Sequence, residues 1–309
     1  MSPDLLEHAA AAFALGSVQG ASPVTGGLSN ELWRVETSTG TYLVKVMRVN
    51  ADRPEFESNI EAAYGIESMA YAHGVPCPEP VPARPGKCLA RIDGQWLRVH
   101  RWVNGVPPGP GEYAEEAGRL LARIHSSAAT DLAPLEDEPW DEEGWASLAD
   151  AAGMAPDLAP TLRGAAQLLA ELEADTTAAP GMVVPQVPSH GDLDQKNTLV
   201  VNQTLMAVDW DAARTCSVAR EAVGLALDWS DDVAGFQRVL AGYGSAIPTE
   251  PWVFGGWVSA LGGWLVYNAT HRASTDLGES EIRATLSRLL AFHAERHEYV
   301  AALTHVRLT

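Results

Sequence analysis

The chain has 309 residues, 46 % hydrophobic and 20 % charged, a size and balance that exclude a disordered or fibrous protein and suit two lobes better than one core. Against 40 Asp and Glu stand only 21 Lys and Arg, and the resulting formal net charge of −19 repels DNA and RNA while favouring cationic small molecules or simply a well-solvated surface. Cys77, Cys88 and Cys216 have neither disulfide-framework nor zinc-site spacing, which fits a reducing, cytoplasmic setting.

From the N-terminus, Met1 to Val18 carries Asp4 and Glu7 where a signal peptide carries basic residues, and its apolar positions fall at helical intervals. Residues 22–49 read as strands, with Leu32 to Glu36 and Thr41 to Met47 joined through the turn Thr37 to Gly40. Residues 55–73 repeat apolar side chains at helical spacing (Ile60, Tyr64, Met69) and stop at His73-Gly74, ahead of Pro76, Pro78, Pro80 and Pro82. Cys88 to Ile92 and Gln95 to Trp102 predict two more strands around the tight turn Asp93-Gly94. The breaker-rich stretch Val103 to Glu112 is the expected boundary between an N-terminal lobe, 1–102, and a C-terminal lobe, 103–309. Beyond it, 115–126, 158–174, 232–243, 252–268 and 279–302 show helical periodicity, and only the region around 183–211 returns to strand-like composition. The most apolar stretch, Trp252 to Tyr267, is shorter than the roughly 20 residues that span a bilayer. It predicts a buried helix, and no membrane association is expected.

Chemistry concentrates in Ser189 to Asp211. A loop with Asp192 and Asn197 runs into an apolar strand, a turn at Asn202-Gln203, a second apolar strand, and then Asp209. Such a hairpin sets the loop beside the end of the second strand. Phosphoryl transfer needs one carboxylate to orient a hydroxyl and accept its proton, and a second carboxylate with an amide oxygen to hold Mg²⁺ on phosphate oxygens. Asp192 suits the first task, Asn197 and Asp209 the second, and His190 is expected to brace the loop.

On these residues the sequence resembles the aminoglycoside phosphotransferase family, small-molecule kinases with a two-lobed protein-kinase-like α+β fold: His190, Gly191, Asp192, Asn197 and Asp209 meet its His-Gly-Asp, Asn and Asp pattern. The resemblance implies ATP or GTP as phosphate donor between the lobes, Mg²⁺, and a small hydroxyl-bearing acceptor, in a monomer or homodimer. It implies that Gly26 to Asn30 covers the nucleotide, with Ser29 and Asn30 near the phosphates. Lys45, a charge in the middle of an apolar strand, is implied to hold the α- and β-phosphates while paired to a helix glutamate: Glu61, with Glu57 and Glu67 as alternatives. Val99 to Gly105 looks like the hinge whose backbone binds the nucleobase, placing His100 and Trp102 at the nucleotide. Where the family often has His-Pro-Gly, this chain has Asp194-Gln195-Lys196, so that Asp194 either touches substrate or solvates the loop. The acidic run Glu136 to Glu143, with Asp228, Asp231 and Asp232, either attracts a cationic acceptor such as an aminoglycoside, which implies antibiotic resistance, or is a solvated face. Homoserine, choline and sugar kinases share the same core and are the alternative. A protein kinase is disfavoured because no Ala-Pro-Glu-like stop follows Asp211, and a non-catalytic nucleotide-binding module because every ionic position is filled. His293 and His297, four apart on a helix, lack the adjacent glutamate and third ligand of a zinc site.

Overall fold

A computed structural model describes residues 1–24, 30–83 and 86–304. In chain order the elements are α1 (Pro3–Ala12), β1 (Val18–Val24), β2 (Glu31–Thr37), β3 (Gly40–Met47), α2 (Phe56–Ala72), β4 (Pro80–Val81), β5 (Ala90–Ile92), β6 (Gln95–Arg101), α3 (Ala114–His125), β7 (Asp131–Pro134), α4 (Glu142–Ser147), α5 (Leu158–Thr176), β8 (Val183–Ser189), β9 (Thr198–Val201), β10 (Thr204–Ala207), β11 (Arg214–Ser217), α6 (Val218–Asp228), α7 (Val233–Tyr243), α8 (Gly255–His271) and α9 (Asp276–Leu303). The fold is α+β, an antiparallel sheet followed by a mainly helical remainder.

By packing the chain forms two compact units. One comprises Met1–Tyr113, Leu120–Ala129 and Pro188–Thr215, the other Ala114–Arg119, Thr130–Val187 and Cys216–Thr309. This grouping cuts across the expected 102/103 boundary because Pro188–Thr215 packs with the N-terminal sheet. Asp211, for example, accepts from Lys45 of β3 at 2.5 Å and from Arg98 of β6 at 2.6 Å.

In the first unit the sheet runs β1-β2-β3-β6-β4, with β5 also on β6. Asp93-Gly94 joins β5 to β6 with φ of 48° and 78°, and Asn202-Gln203 joins β9 to β10 with φ of 48° and 65°. Positive φ at both central residues is the condition of the type I′ turn, whose twist matches that of the strands it connects. One sheet face is closed by α1: Leu5, Ala9 and Phe13 pack with Val35, Val44, Leu97 and Val99, all buried. Full burial of such side chains contributes about 1.5–3 kcal/mol each. Because strand side chains alternate, Lys45 turns to the opposite face from Val44. Arg98 of β6 lies directly across from Lys45 in the register. Two cations thus share one buried face, and the candidate site follows from how they are neutralised.

The second unit uses two acids of the run, Asp137 and Asp141, and also Asp228 and Asp232, structurally. Asp137 pairs with both guanidinium nitrogens of Arg220 at 2.6 Å and accepts the Ala178 amide at 2.8 Å. Asp141 and Asp232 cap the first turns of α4 and α7, accepting Gly144 N at 2.8 Å and Gly235 N at 2.6 Å. Asp228 accepts from the Trp257 indole and pairs with Arg288, both at 2.8 Å. No helix among the described residues is long and apolar enough to cross a membrane.

Candidate active site

The loop after β8 is held in shape by its own residues. His190 is fully buried. Its Nε2 lies 3.0 Å from the Val208 carbonyl, and its ring centroid 4.7 Å from that of Trp210, so the loop is tied to the segment carrying Asp209. Gly191 has φ +77°, and a Cβ there would lie 2.4 Å from the Ala212 carbonyl oxygen, so any side chain would push these segments apart. Asn197 Nδ2 donates to both the carbonyl and Oδ2 of Asp192, each at 2.8 Å. Asp194, left open between substrate contact and loop solvation, caps the turn Gln195–Asn197. Its Oδ1 accepts Asn197 N at 3.1 Å and its Oδ2 meets Lys196 Nζ at 2.8 Å.

Asp192 keeps a solvent-reaching carboxylate, yet the protein atoms crowded around it raise its pKa by desolvation, against the lowering pull of Lys196. Asp209 follows β10 with φ +61°, in the left-handed region. For a residue other than glycine that conformation costs about 1–3 kcal/mol and clusters at functional sites. Among the described residues Asp192 Oδ1, Asn197 Oδ1 and Asp209 Oδ2 make no hydrogen bond, while Asp209 Oδ1 accepts from Lys45 at 2.6 Å. A cavity of about 330 Å³ opens here, lined by Asp192, Asp209 and Asp211 together with Asn30, Arg53 and Asn59. That volume suits a small ligand. Asn30 also anchors the start of the loop after β3, its Oδ1 accepting the Arg48 amide at 2.9 Å.

The expected partner of Lys45 is corrected by the structure. Glu61 does not pair with it; the Glu61 carboxylate accepts the backbone amides of Cys88 at 3.0 Å and Leu89 at 3.1 Å. Lys45 Nζ instead donates to Asp209 and, at 2.5 Å, to Asp211 Oδ2. Asp211 Oδ1 accepts from Arg98 Nη1 at 2.6 Å, and Arg98 Nη2 donates to Glu67 Oε2. Glu67 Oε1 lies 3.0 Å from His100 Nε2. Thus Lys45, Arg98 and His100 line one face of the sheet, bridged by Asp211 and Glu67.

Burial alone would lower the Lys45 pKa, but Asp211 and Asp209 outweigh it and the net shift is upward. Burial would raise the Asp211 carboxyl; Lys45 and Arg98 overcome that and hold it far below the usual range. Glu67 is likewise lowered, with His100 and Arg98 prevailing over desolvation. Lys45, Asp211 and Glu67 are thus each shifted toward the charged form, because each has an opposite charge in contact.

For His100 and Trp102 the expected place at the nucleotide also changes. His100 sits within β6, across from Leu43 on one side and Pro80 on the other, and its ring serves Glu67 rather than a ligand. The Trp102 amide donates to the Thr41 carbonyl at 3.0 Å and its indole to Asn104 at 2.7 Å, so neither donor is available to a nucleobase. Both changes have one cause: the sheet's own pairing and the buried acids consume these groups first. Ser29 lies outside the described residues. His293 Nε2 lies 3.7 Å from a Glu171 oxygen, and no cluster of three or more His, Cys, Asp or Glu able to hold a metal occurs among the described residues.

The fold, and the family that the sequence matches, define a small-molecule kinase. The profile of the phosphotransferase enzyme family, the aminoglycoside phosphotransferases and their relatives, matches residues 20–253, and the chain belongs to that family. It is similar to the homoserine kinase of Xanthobacter autotrophicus, 28 % identical over 247 residues that cover 78 % of this chain and 74 % of that protein. The homoserine kinase of Methylobacterium radiotolerans is 27 % identical over 251 residues, covering 77 % and 75 %. Among solved structures, spectinomycin phosphotransferase in complex with ADP and spectinomycin aligns with a TM-score of 0.64 at 12 % identity, over 94 % of this chain and 98 % of that one. A microcompartment-associated aminopropanol kinase aligns with a TM-score of 0.60 at 19 % identity, over 98 % and 100 %. For the choline kinase LicA of Streptococcus pneumoniae the values are 0.61 and 16 %, over 93 % and 98 %. At these identities the solved structures establish the protein-kinase-like fold and nothing narrower.

Proposed function

We propose that the protein transfers the γ-phosphate of ATP, with GTP as the alternative donor, to the hydroxyl of a small amino alcohol or hydroxy amino acid, homoserine foremost. The observation that carries the transferase reading is the meeting of Asp192 and Asp209 on one cavity, with Asn197 hydrogen-bonded to Asp192 beside it, and each of the three keeping a carboxylate or amide oxygen uncommitted among the described residues. The acceptor is argued from the curated relatives, which are homoserine kinases. They favour this metabolic alternative over the aminoglycoside that the acidic composition suggested, and antibiotic resistance finds no support. The engagement of Asp137, Asp141, Asp228 and Asp232 in caps and ion pairs points the same way, since a polycation would find fewer uncommitted carboxylates there.

In this reading Asp192 Oδ1 takes the proton of the acceptor hydroxyl. A bond forms between that oxygen and the γ-phosphorus, the bond from the γ-phosphorus to the β–γ bridging oxygen breaks, and the nucleoside diphosphate leaves with the electron pair. Asn197 Nδ2 keeps the Asp192 carboxylate aimed, and most of the rate is positioning. Asn197 Oδ1 and Asp209 Oδ2 would hold Mg²⁺, which supplies charge neutralisation on the phosphate oxygens. Two protein oxygens would fit Mg²⁺, which is usually held through one or two carboxylates rather than by an all-protein cage.

The test is a panel of L-homoserine, choline, 1-amino-2-propanol and spectinomycin, incubated with γ-labelled ATP and Mg²⁺. The expected result is labelled phosphohomoserine with the highest kcat/KM of the four. A clear preference for spectinomycin would overturn the acceptor assignment and restore the aminoglycoside.

A further inference from the structure

Lys45 is held by two carboxylates that are not equivalent. Asp209 is half exposed, its side chain 47 % accessible, and has one oxygen uncommitted; Asp211 is 20 % accessible and has both oxygens occupied, by Lys45 and by Arg98. A divalent cation on Asp209 Oδ2 would weaken the hold of that carboxylate on Lys45 through Oδ1, whereas both oxygens of Asp211 are engaged by Lys45 and Arg98. Lys45 and Arg98 face each other across β3 and β6. Like charges so placed repel, and the Asp211 carboxylate between them turns that repulsion into a bridge. Arg98, fully buried, continues the bridge to Glu67 on α2.

We propose that Asp211, anchored by Arg98 and through it by Glu67, is the positioning residue that holds Lys45 ready for the nucleotide phosphates, so that α2 is coupled to nucleotide binding through a four-membered charge relay rather than a direct lysine–glutamate pair. The inference rests on the kinase reading above. With Asp209 shared between Lys45 and a cation, Asp211 would be the firmer anchor of the ammonium group. A helix shift that withdraws Glu67 acts on Lys45 through Arg98 and Asp211. None of Asp211, Arg98 or Glu67 needs to touch a phosphate for this role.

The experiment compares wild type, Asp211→Asn and Glu67→Gln. The Kd for Mg·ATP is measured by isothermal titration without acceptor, with KM for ATP and for the acceptor measured separately and the melting temperature recorded alongside. Removing a charged group that orients a ligand-binding residue typically costs about 10–100-fold. The expected result is a Kd and an ATP KM raised at least about 10-fold in Asp211→Asn, the same pattern but smaller in Glu67→Gln, and an acceptor KM nearly unchanged. A merely structural role would lower the melting temperature and the folded fraction and leave the Kd per folded molecule alone. That result, in either variant, overturns the inference, and Glu67→Gln decides if Asp211→Asn does not fold. Wild-type protein that binds no Mg·ATP would overturn the kinase reading together with the relay, whereas normal binding by all three proteins would overturn the relay alone.

Discussion

Arg98→Met is the sharpest test of the buried charge network as a stabilising element. Arg98 is fully buried, Glu67 is 1 % exposed, and the guanidinium donates to Glu67 and Asp211 at once. Methionine fills much of the volume but leaves the Glu67 carboxylate with His100 only and the Asp211 carboxylate with Lys45 only. Breaking a buried pair by removing one partner costs about 3–5 kcal/mol, because the orphaned charge stays desolvated. For a chain of this length that is a fall in Tm of roughly 5–8 °C. The double variant Glu67→Met with Arg98→Met removes charge from both ends, and is expected to recover part of the loss. Differential scanning calorimetry near pH 7 measures all three proteins. The pH dependence has a definite sign. Asp211 and Glu67 have folded-state pKa values lowered from the ordinary range, so their contribution is fully present above about pH 4–5 and is lost as pH falls through the folded values. The gap between wild type and Arg98→Met should therefore narrow on acidification. A melting temperature for Arg98→Met within about 1 °C of wild type at pH 7 would refute the reasoning.

Asp192→Ala is expected to retain nucleotide binding and to lose turnover by about 10²–10⁴-fold, the usual range for a positioned base; unchanged turnover would locate the base elsewhere. Because desolvation raises the Asp192 pKa and Lys196 pulls it down, kcat/KM should fall as pH drops through a value above that of an ordinary aspartate. Lys196→Met should move that acid limb to higher pH, and a limb that stays or moves lower contradicts the assignment. Gly191→Ala should lower both Tm and kcat, since the added Cβ would meet the Ala212 carbonyl at a positive φ; a fully active, equally stable variant would show that the loop has room to spare.

The parts of the fold governed by local rules were legible. Strands β2, β3, β5 and β6 and helix α2 declared themselves through period and through turn residues such as Asp93-Gly94, and the segment from His190 to Asp209 through its spacing. What was hidden depends on which groups meet in space. Glu61 and Glu67 lie six residues apart on α2, about 240° around the helix, so they face different neighbours, and nothing local says which faces the sheet. A signal for Arg98 and His100 was present: alternation in Gln95 to Arg101 places both on one face of an otherwise apolar strand, where charges need partners. Asp211 has no assigned role in the sequence reading, although Lys45 and Arg98 together require an acid nearby. The short elements α4 and β7 lack enough periodic positions to stand out, and acids such as Asp137 and Asp141 read as solvated charge until Arg220 and the α4 amides were seen against them.

The measurement closest to the heart of the assignment is calorimetric titration of ATP into wild type and Asp209→Asn, each with and without Mg²⁺. Wild-type protein should bind ATP much more tightly when Mg²⁺ is present, and Asp209→Asn should lose most of that metal dependence while staying folded. Metal-independent binding by wild type, or an Asp209→Asn variant indistinguishable from it, would contradict a site in which Asp209 and Asn197 serve a metal-bound triphosphate.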